Sequence, residues 1–258
     1  AETLRKVIGR FGGRGVVLSD RGGPFADLTK SFVKALGSPN YFNHDCTCGS
    51  NAHQATRSLF GLGRTDIAYD FKNARHIVLC GRNIIEALQV KEAKGFMQAL
   101  NAGTKVTYFD PRATLTAAKA SRFWQIRPNT EYALYLSFIH VVLEEGLYNR
   151  DFVTRWVTGL DELEAFARDK TPEWQQAFTG IPADEVRSFI REFAEDAPRV
   201  IFYAGWMTAR HRQSFYVSRS AHILNALFGA IEVTGGFFLA KNAGDAGRKG
   251  LKKISERI

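Results

Sequence analysis

Residues 74–83 read ARHIVLCGRN, and this stretch decides the fold. An apolar strand over 74–80 halts at Gly81-Arg82-Asn83, and a helix is predicted over 84–102, closed by Asn101-Ala102-Gly103. The pattern then recurs. Residues 105–109 give a second strand stopped by Asp110-Pro111-Arg112, and residues 122–126 a third stopped by Arg127-Pro128-Asn129-Thr130. Residues 131–145 carry apolar side chains at helical spacing up to Gly146, and shorter helices are predicted at 151–156 and 160–168. Pro182-Ala183-Asp184 opens a helix running to 194. A fourth strand over 199–203 stops at Ala204-Gly205-Trp206, and a long helix over 212–229 follows, with Gly235-Gly236 behind it.

Strands that alternate with helices predict an α/β fold, a parallel sheet with helices on both faces. Such sheets bind ligands at the carboxyl ends of their strands, and the unusual turns (GRN, DPR, RPNT, AGW) lie at those ends. Upstream, 15–20 reads as a short strand broken by Gly22-Gly23-Pro24, and a helix over 25–36 is closed by Gly37-Ser38-Pro39-Asn40. Residues 244–258 form a basic tail with little core material. There is no internal repeat and no low-complexity tract.

The 258 residues suffice for one large domain or two small ones, and a 45% hydrophobic, 12% aromatic chain can bury a substantial core. No apolar run reaches the roughly 18 to 20 residues of a membrane span. A net charge of +9 and a pI of 9.6 suit small anionic partners. No arginine-rich arm or helix-turn-helix pattern points to nucleic acid. Three cysteines are too few for a disulfide framework. No C-x-x-C is present to supply four cysteines to an iron–sulfur cluster. The chain starts at Ala1 without a secretory segment, as expected of a processed chain or a piece of a longer one.

The turns carry the candidate chemistry. Gly81 would let a phosphate approach the backbone before a helix start, and Asn83 can donate to or accept from a cofactor; the plain alternative is an ordinary strand-helix turn. Asp110 is placed to accept from ribose hydroxyls, or else to cap the next helix, and Arg112 to reach a phosphate or stack on a base. Asn129 or Thr130 can cap the helix that follows, which is the plain reading; the alternative gives the free N–H groups of that helix and Arg127 to a cofactor. The cysteines lie in residues 41–61, YFNHDCTCGSNAHQATRSLFG, where a thiol can be a metal ligand, a redox group or a small buried residue. Cys46 and Cys48 are too closely spaced for a zinc pair, and no second cluster exists. Cys80 reads as a small core residue. His53, His76, His140, His211 and His222 show no mutual pattern and read as structural or solvated.

In their order and spacing these segments resemble the catalytic subunit of molybdopterin-dependent oxidoreductases, the dimethyl-sulfoxide-reductase family. The resemblance rests on the H-D-C-T-C loop, the strand-GRN turn, Asp110-Pro111-Arg112, and RPNTEYALYLSFIHVVLEEGLYNRDFV over 127–153. It also rests on AGW followed by SAHILNALFGAIEVTGG over 220–236. The loop is most similar to that of thiosulfate and polysulfide reductases, with His44 four residues before the metal-binding cysteine. The resemblance thus places the metal ligand at Cys48 and a non-ligating residue at Cys46.

The resemblance implies a bis-molybdopterin guanine dinucleotide with molybdenum or tungsten, one dinucleotide being held by Gly81, Asn83, Asp110, Arg112 and Gly205. It implies anaerobic respiration on an inorganic sulfur compound (thiosulfate, polysulfide or tetrathionate), with His44 supplying a proton or positioning the anion. It further implies electrons from an iron–sulfur subunit, a membrane-anchor subunit, and a place on the extracytoplasmic face. An iron–sulfur cluster is expected elsewhere in a full-length enzyme. Family enzymes are far longer, so the expectation is an internal piece: a partial α/β domain over 1–45, a Rossmann-like dinucleotide-binding domain over 46–240, and a basic tail or cut end over 241–258. The alternatives are the same chemistry on formate, nitrate or arsenate, a cofactor-free non-catalytic domain, and a generic nucleotide-binding domain.

Overall fold

The computed structural model describes residues 1–23, 25–86, 90–205, 208 and 211–239. The predicted tail, Pro24 and Trp206 lie outside the described residues. Contacts divide the chain into two compact units, one of residues 1–50 and one beginning at Asn51.

The first unit opens with helix α1 (Glu2–Phe11). Strands β1 (Leu18–Asp20) and β2 (Tyr41–Asn43) pair in parallel, and helix α2 (Ala26–Ala35) connects them. β1 is shorter than predicted, because residues Gly13–Gly15 form a turn of 3-10 helix. The Asp20 carboxylate ties the unit together. It accepts from the Gly22 N–H (2.7 Å), the Thr29 hydroxyl (2.8 Å) and the Tyr41 hydroxyl (2.7 Å), and these donors hold its pKa below the usual carboxylate range.

The second unit begins within helix α3 (Ser50–Phe60) and continues through β3 (Ile67–Tyr69) and β4 (His76–Cys80). Then come α4 (Val90–Asn101), β5 (Lys105–Asp110), α5 (Leu115–Lys119) and β6 (Arg122–Gln125). Helices α6 (Glu131–Glu144), α7 (Arg150–Trp156), α8 (Leu160–Ala167), α9 (Pro172–Thr179) and α10 (Ala183–Glu195) lead to β7 (Val200–Ala204). Helix α11 (Ser214–Leu227) and β8 (Phe237–Leu239) follow, and β8 returns to pair antiparallel with β3.

Strands β4 to β7 form one parallel sheet in the order β6-β5-β4-β7, so the four strands predicted between residues 74 and 203 all join it. Successive side chains of a strand face opposite ways, and the two cores follow that alternation. Ile77, Leu79, Val106, Tyr108, Ile201 and Tyr203 pack with Phe96 and Ala99 of α4. Val78, Cys80, Phe109, Val200 and Phe202 pack with α6, α10 and α11. Helix α6 is buried nearly all round, with Leu134, Tyr135, Phe138 and Ile139 inaccessible, as its unbroken apolar run requires.

Asn225 of α11, fully buried, reaches back to β7. Its side-chain oxygen accepts from the Phe202 N–H (2.9 Å), and its amide donates to the Phe202 carbonyl and to the Ala221 carbonyl (both 2.9 Å). Asn225→Ala would leave the Phe202 main-chain groups buried without partners. The expected cost is about 2 kcal/mol of unfolding free energy, read from the urea midpoint at unchanged m-value; a shift under a quarter of that would dismiss the role.

Candidate cofactor site

In the first unit the cysteine loop follows the carboxyl end of β2. Asn43 caps a short 3-10 turn (His44–Thr47), its side-chain oxygen accepting from the Asp45 N–H at 3.1 Å and from the Cys46 thiol at 3.6 Å. The Cys48 N–H donates to the Asp45 carbonyl (3.2 Å), as does the Ser50 hydroxyl (2.7 Å). The result is a sharp separation of the two thiols: Cys46 is exposed together with His44, whereas Cys48 is 6% exposed.

In the second unit the chain runs outward from β4 through β5 to β6, then crosses back to β7 on the other side of β4. The strand order thus reverses between β4 and β7, which is where open α/β sheets take their ligands. Gly81 ends β4 with φ of 55°, a left-handed conformation that favours glycine. Gly205 ends β7, and its N–H donates to the Cys80 carbonyl at 2.5 Å. A Cβ on Gly205 would lie 2.1 Å from that carbonyl oxygen and 2.3 Å from the carbonyl atoms of Gly81. The two glycines therefore bring bare backbone together at the switch point.

Asn83 is engaged within its turn: it accepts from the Thr116 hydroxyl (2.8 Å) and donates to Glu86. Asp110 ends β5, with its two oxygens accepting from the Tyr108 hydroxyl (2.7 Å) and the Arg112 N–H (2.8 Å). It does not cap the next helix; Thr114 does, accepting from the Ala117 N–H. The Arg112 side chain is exposed.

Two expectations fail at the following turn. Arg127 donates to the carbonyls of Ala177 (2.8 Å) and Phe178 (3.2 Å), at the end of α9, and so is occupied as a helix terminator. Thr130 precedes α6 but its hydroxyl donates to the Arg127 carbonyl (2.6 Å) instead of capping the helix, and Asn129 adopts φ of 64°.

Several groups near the strand ends escaped the reading of the sequence. Arg82 is 7% exposed, and one of its terminal nitrogens donates to Glu92 at 2.5 Å. Glu92 also accepts from the Tyr203 hydroxyl at 3.3 Å, and the Arg82 guanidinium lies 6.0 Å from the Tyr203 ring centre. Glu131, at the start of α6, is 6% exposed, and burial pushes its carboxyl pKa up, with Asp110 adding to the rise. His211 stands 3.8 Å away, its own pKa lowered by burial. Arg82 Nε, Glu131 Oε2 and His211 Nε2 are buried without a hydrogen-bond partner among the described residues. The only signal available was their position beside the predicted turns.

The donor set suits a large, polar, phosphate-bearing group: bare glycine backbone at the switch point and buried polar atoms awaiting partners. The comparisons agree. The molybdopterin oxidoreductase family model matches residues 25–256, and the chain belongs to that family. The cofactor of this chain is accordingly a molybdopterin.

Among individual relatives, the chain is 31% identical to the thiosulfate reductase molybdopterin-containing subunit PhsA of Salmonella typhimurium. That match covers 100% of this chain and 34% of the relative. It is 27% identical to acetylene hydratase of Syntrophotalea acetylenica, over 89% of this chain and 31% of the relative. Other relatives are named for arsenate, dimethyl sulfoxide and nitrate reduction. The solved structure of acetylene hydratase from Pelobacter acetylenicus superposes with a TM-score of 0.79 at 26% identity, covering 92% of this chain and 32% of that one. The chain thus spans about a third of the length of the relatives it matches.

Proposed function

We propose that this chain is part of a molybdenum- or tungsten-pterin reductase acting on an inorganic sulfur compound, with thiosulfate as the preferred substrate over polysulfide and tetrathionate. The observation that carries the reading is the H-D-C-T-C turn, which sets a buried Cys48 apart from an exposed His44. The match to a thiosulfate reductase subunit along the whole chain supports it.

When bound, the molybdopterin group, here assigned its bis-guanine-dinucleotide form, supplies the two-electron redox chemistry. The chain supplies the surroundings. Cys48 offers a soft thiolate to the metal. Gly81, in its left-handed turn, and Gly205, packed against the Cys80 and Gly81 main chain, form the strand ends to which we assign the phosphates, and Asn83 holds the turn between β4 and the next helix. Asp110 keeps acceptor capacity for ribose hydroxyls beyond its two present donors, and Arg112 presents an exposed guanidinium to a phosphate or a base. Two electrons and two protons convert thiosulfate to sulfite and hydrogen sulfide, and the exposed imidazole of His44 is placed to hold the anion or deliver a proton. The electron donor we assign is an iron–sulfur subunit, with a membrane-anchor subunit, at the extracytoplasmic face. No helix among the described residues is long and apolar enough to cross a membrane.

Metal content tests the ligand. Protein purified from anaerobically grown cells should carry molybdenum or tungsten by mass spectrometry. Cys48→Ala should lose at least ten-fold of it and Cys46→Ala should keep it. Equal metal in wild type and Cys48→Ala would remove Cys48 as the ligand. Reduction of arsenate or nitrate in preference to thiosulfate, with a reduced dye as donor, would move the substrate away from sulfur.

A further inference from the structure

We propose that a cavity of about 650 Å³ between α6 and α11 binds a small aromatic acid whose ring carries a hydroxyl or N–H donor. Its volume falls within the roughly 300 to 1,000 Å³ of small-molecule sites. Helix α6 contributes Tyr132, Leu136 and Ile139, and α11 contributes Tyr216, Arg219 and Ile223, each set spaced as one helical face. The end of α3 and the turn between α7 and α8 complete the lining, which shares no residue with the cofactor site described above.

The walls select a flat, apolar body. Tyr132 and Tyr216 lie with ring centres 5.5 Å apart and planes 30° from parallel. Trp156, Phe166 and Tyr216 also line the cavity and are 74%, 52% and 51% exposed, so three large aromatic side chains are left in water around one opening. A ligand ring seated against them takes that apolar surface out of water.

Two polar groups select the substituents. His222 forms part of the wall and is 5% exposed. The Thr56 hydroxyl donates its one proton to the Ala52 carbonyl at 3.0 Å, so it accepts from His222 Nε2 at 3.1 Å. The imidazole therefore carries its proton on Nε2. Nδ1 is left a bare acceptor, buried and without a partner among the described residues, and it calls for a donor. Arg219 stands three residues earlier on α11, half-buried and in no ion pair among the described residues. It is close enough to Tyr132 to act against the pKa rise that burial causes there. A guanidinium so placed suits a carboxylate, which it can take with two parallel N–H donors. Glu162, also in the lining, is exposed and stays hydrated without pairing with Arg219.

Calorimetric titration of the 258-residue chain with 4-hydroxyphenylacetate, phenylacetate and 4-methylphenol tests the site. The hydroxy acid should bind about five-fold more tightly than phenylacetate, which has no donor for His222. It should bind about ten-fold more tightly than 4-methylphenol, which has no carboxylate. Arg219→Gln should erase the second difference and leave 4-methylphenol unchanged. Ala226→Trp, at a half-buried position of the lining, should fill the cavity and remove binding of all three. Melting curves establish that each variant is folded, and should Ala226→Trp not fold, the Arg219→Gln comparison carries the test. No binding of the hydroxy acid at millimolar concentration, or equal binding by wild type and Ala226→Trp, would overturn the proposal. A chain that sediments as a dimer and becomes monomeric as Trp156→Ser would give the aromatic opening to an interface between copies, and would overturn it too.

Discussion

Replacing Gly205 with valine is expected to destabilise the second unit by about 3 kcal/mol or more and to abolish nucleotide binding. The reason is geometric. The new Cβ would lie 2.1 Å from the Cys80 carbonyl oxygen and 2.3 Å from the Gly81 carbonyl atoms, and all of these are main chain. A side chain in the way can rotate, but a backbone carbonyl at the end of a buried strand cannot move without breaking the β4–β7 register. The melting temperature should fall on the order of 10 °C. Gly9→Ala is the contrast: nothing lies within 4 Å of its Cβ position, and it sits inside α1, so the change should stabilise that helix by about 0.5 kcal/mol or more. A Gly205→Val protein that melts with wild type would show that the two strand ends do not touch.

The second large effect is a loss of stability on mild acidification. His76 is buried against Phe189 and Phe193, with Nε2 on the Thr107 hydroxyl at 3.0 Å; burial lowers its pKa to about 4, against the pull of Asp196 and Glu192. His222 lies between Phe60 and Phe237 with Nε2 on the Thr56 hydroxyl at 3.1 Å, and burial lowers its pKa to about 4 as well. In both cases the folded value lies below that of the unfolded chain, so the unfolded state takes up the proton first. Stability is therefore held above the ordinary histidine range and lost as pH falls from there towards the folded value. Between pH 7 and pH 5 each histidine should cost about 2 kcal/mol, about 4 kcal/mol together. His211, also lowered by burial, acts in the same direction. Carboxylates held low by their donors, such as Glu173 at about 2 beside Arg187, add their loss only at lower pH. Urea unfolding at the two pH values measures the difference. A change under about 1 kcal/mol would mean that these rings are not buried neutral, and His76→Gln with His222→Gln should flatten the profile.

The central sheet was legible because its strands are buried on both faces. HIVLC and KVTYF are apolar runs that no solvent-facing strand would carry, each cut by a turn. Helix α6 was legible for the same reason. What escaped depends on distant partners or on weak apolar signal. Helix α9 has its signals in place, with Thr171 as cap, Pro172 first and Gly180 last, yet TPEWQQAFTG offers few apolar positions from which to read a period. The β3–β8 pair joins residues at opposite ends of the second unit, and three-residue strands carry no pattern of their own.

The site divides similarly. Gly81, Asp110 and Gly205 could be picked out as strand ends from local sequence, and Cys80 as a core residue. That Gly205 is required by a carbonyl of another strand could not. Nor could the burial of Arg82, since Glu92 and Tyr203, which hold it, come from a helix and a strand separated widely in sequence. Arg127 was misread because its acceptors, the last carbonyls of α9, belong to a helix that had not been foreseen.

Asn225 has one more consequence. In the described sheet β7 is an outer strand, and an outer strand offers a row of unpaired peptide groups on which another chain could template itself. Phe202 sits at the middle of that row, and Asn225 takes up both of its main-chain groups from α11. An intramolecular amide thus occupies the positions an intruding strand would need first. The same two hydrogen bonds that fasten a helix to the sheet also close the middle of that edge to strand pairing.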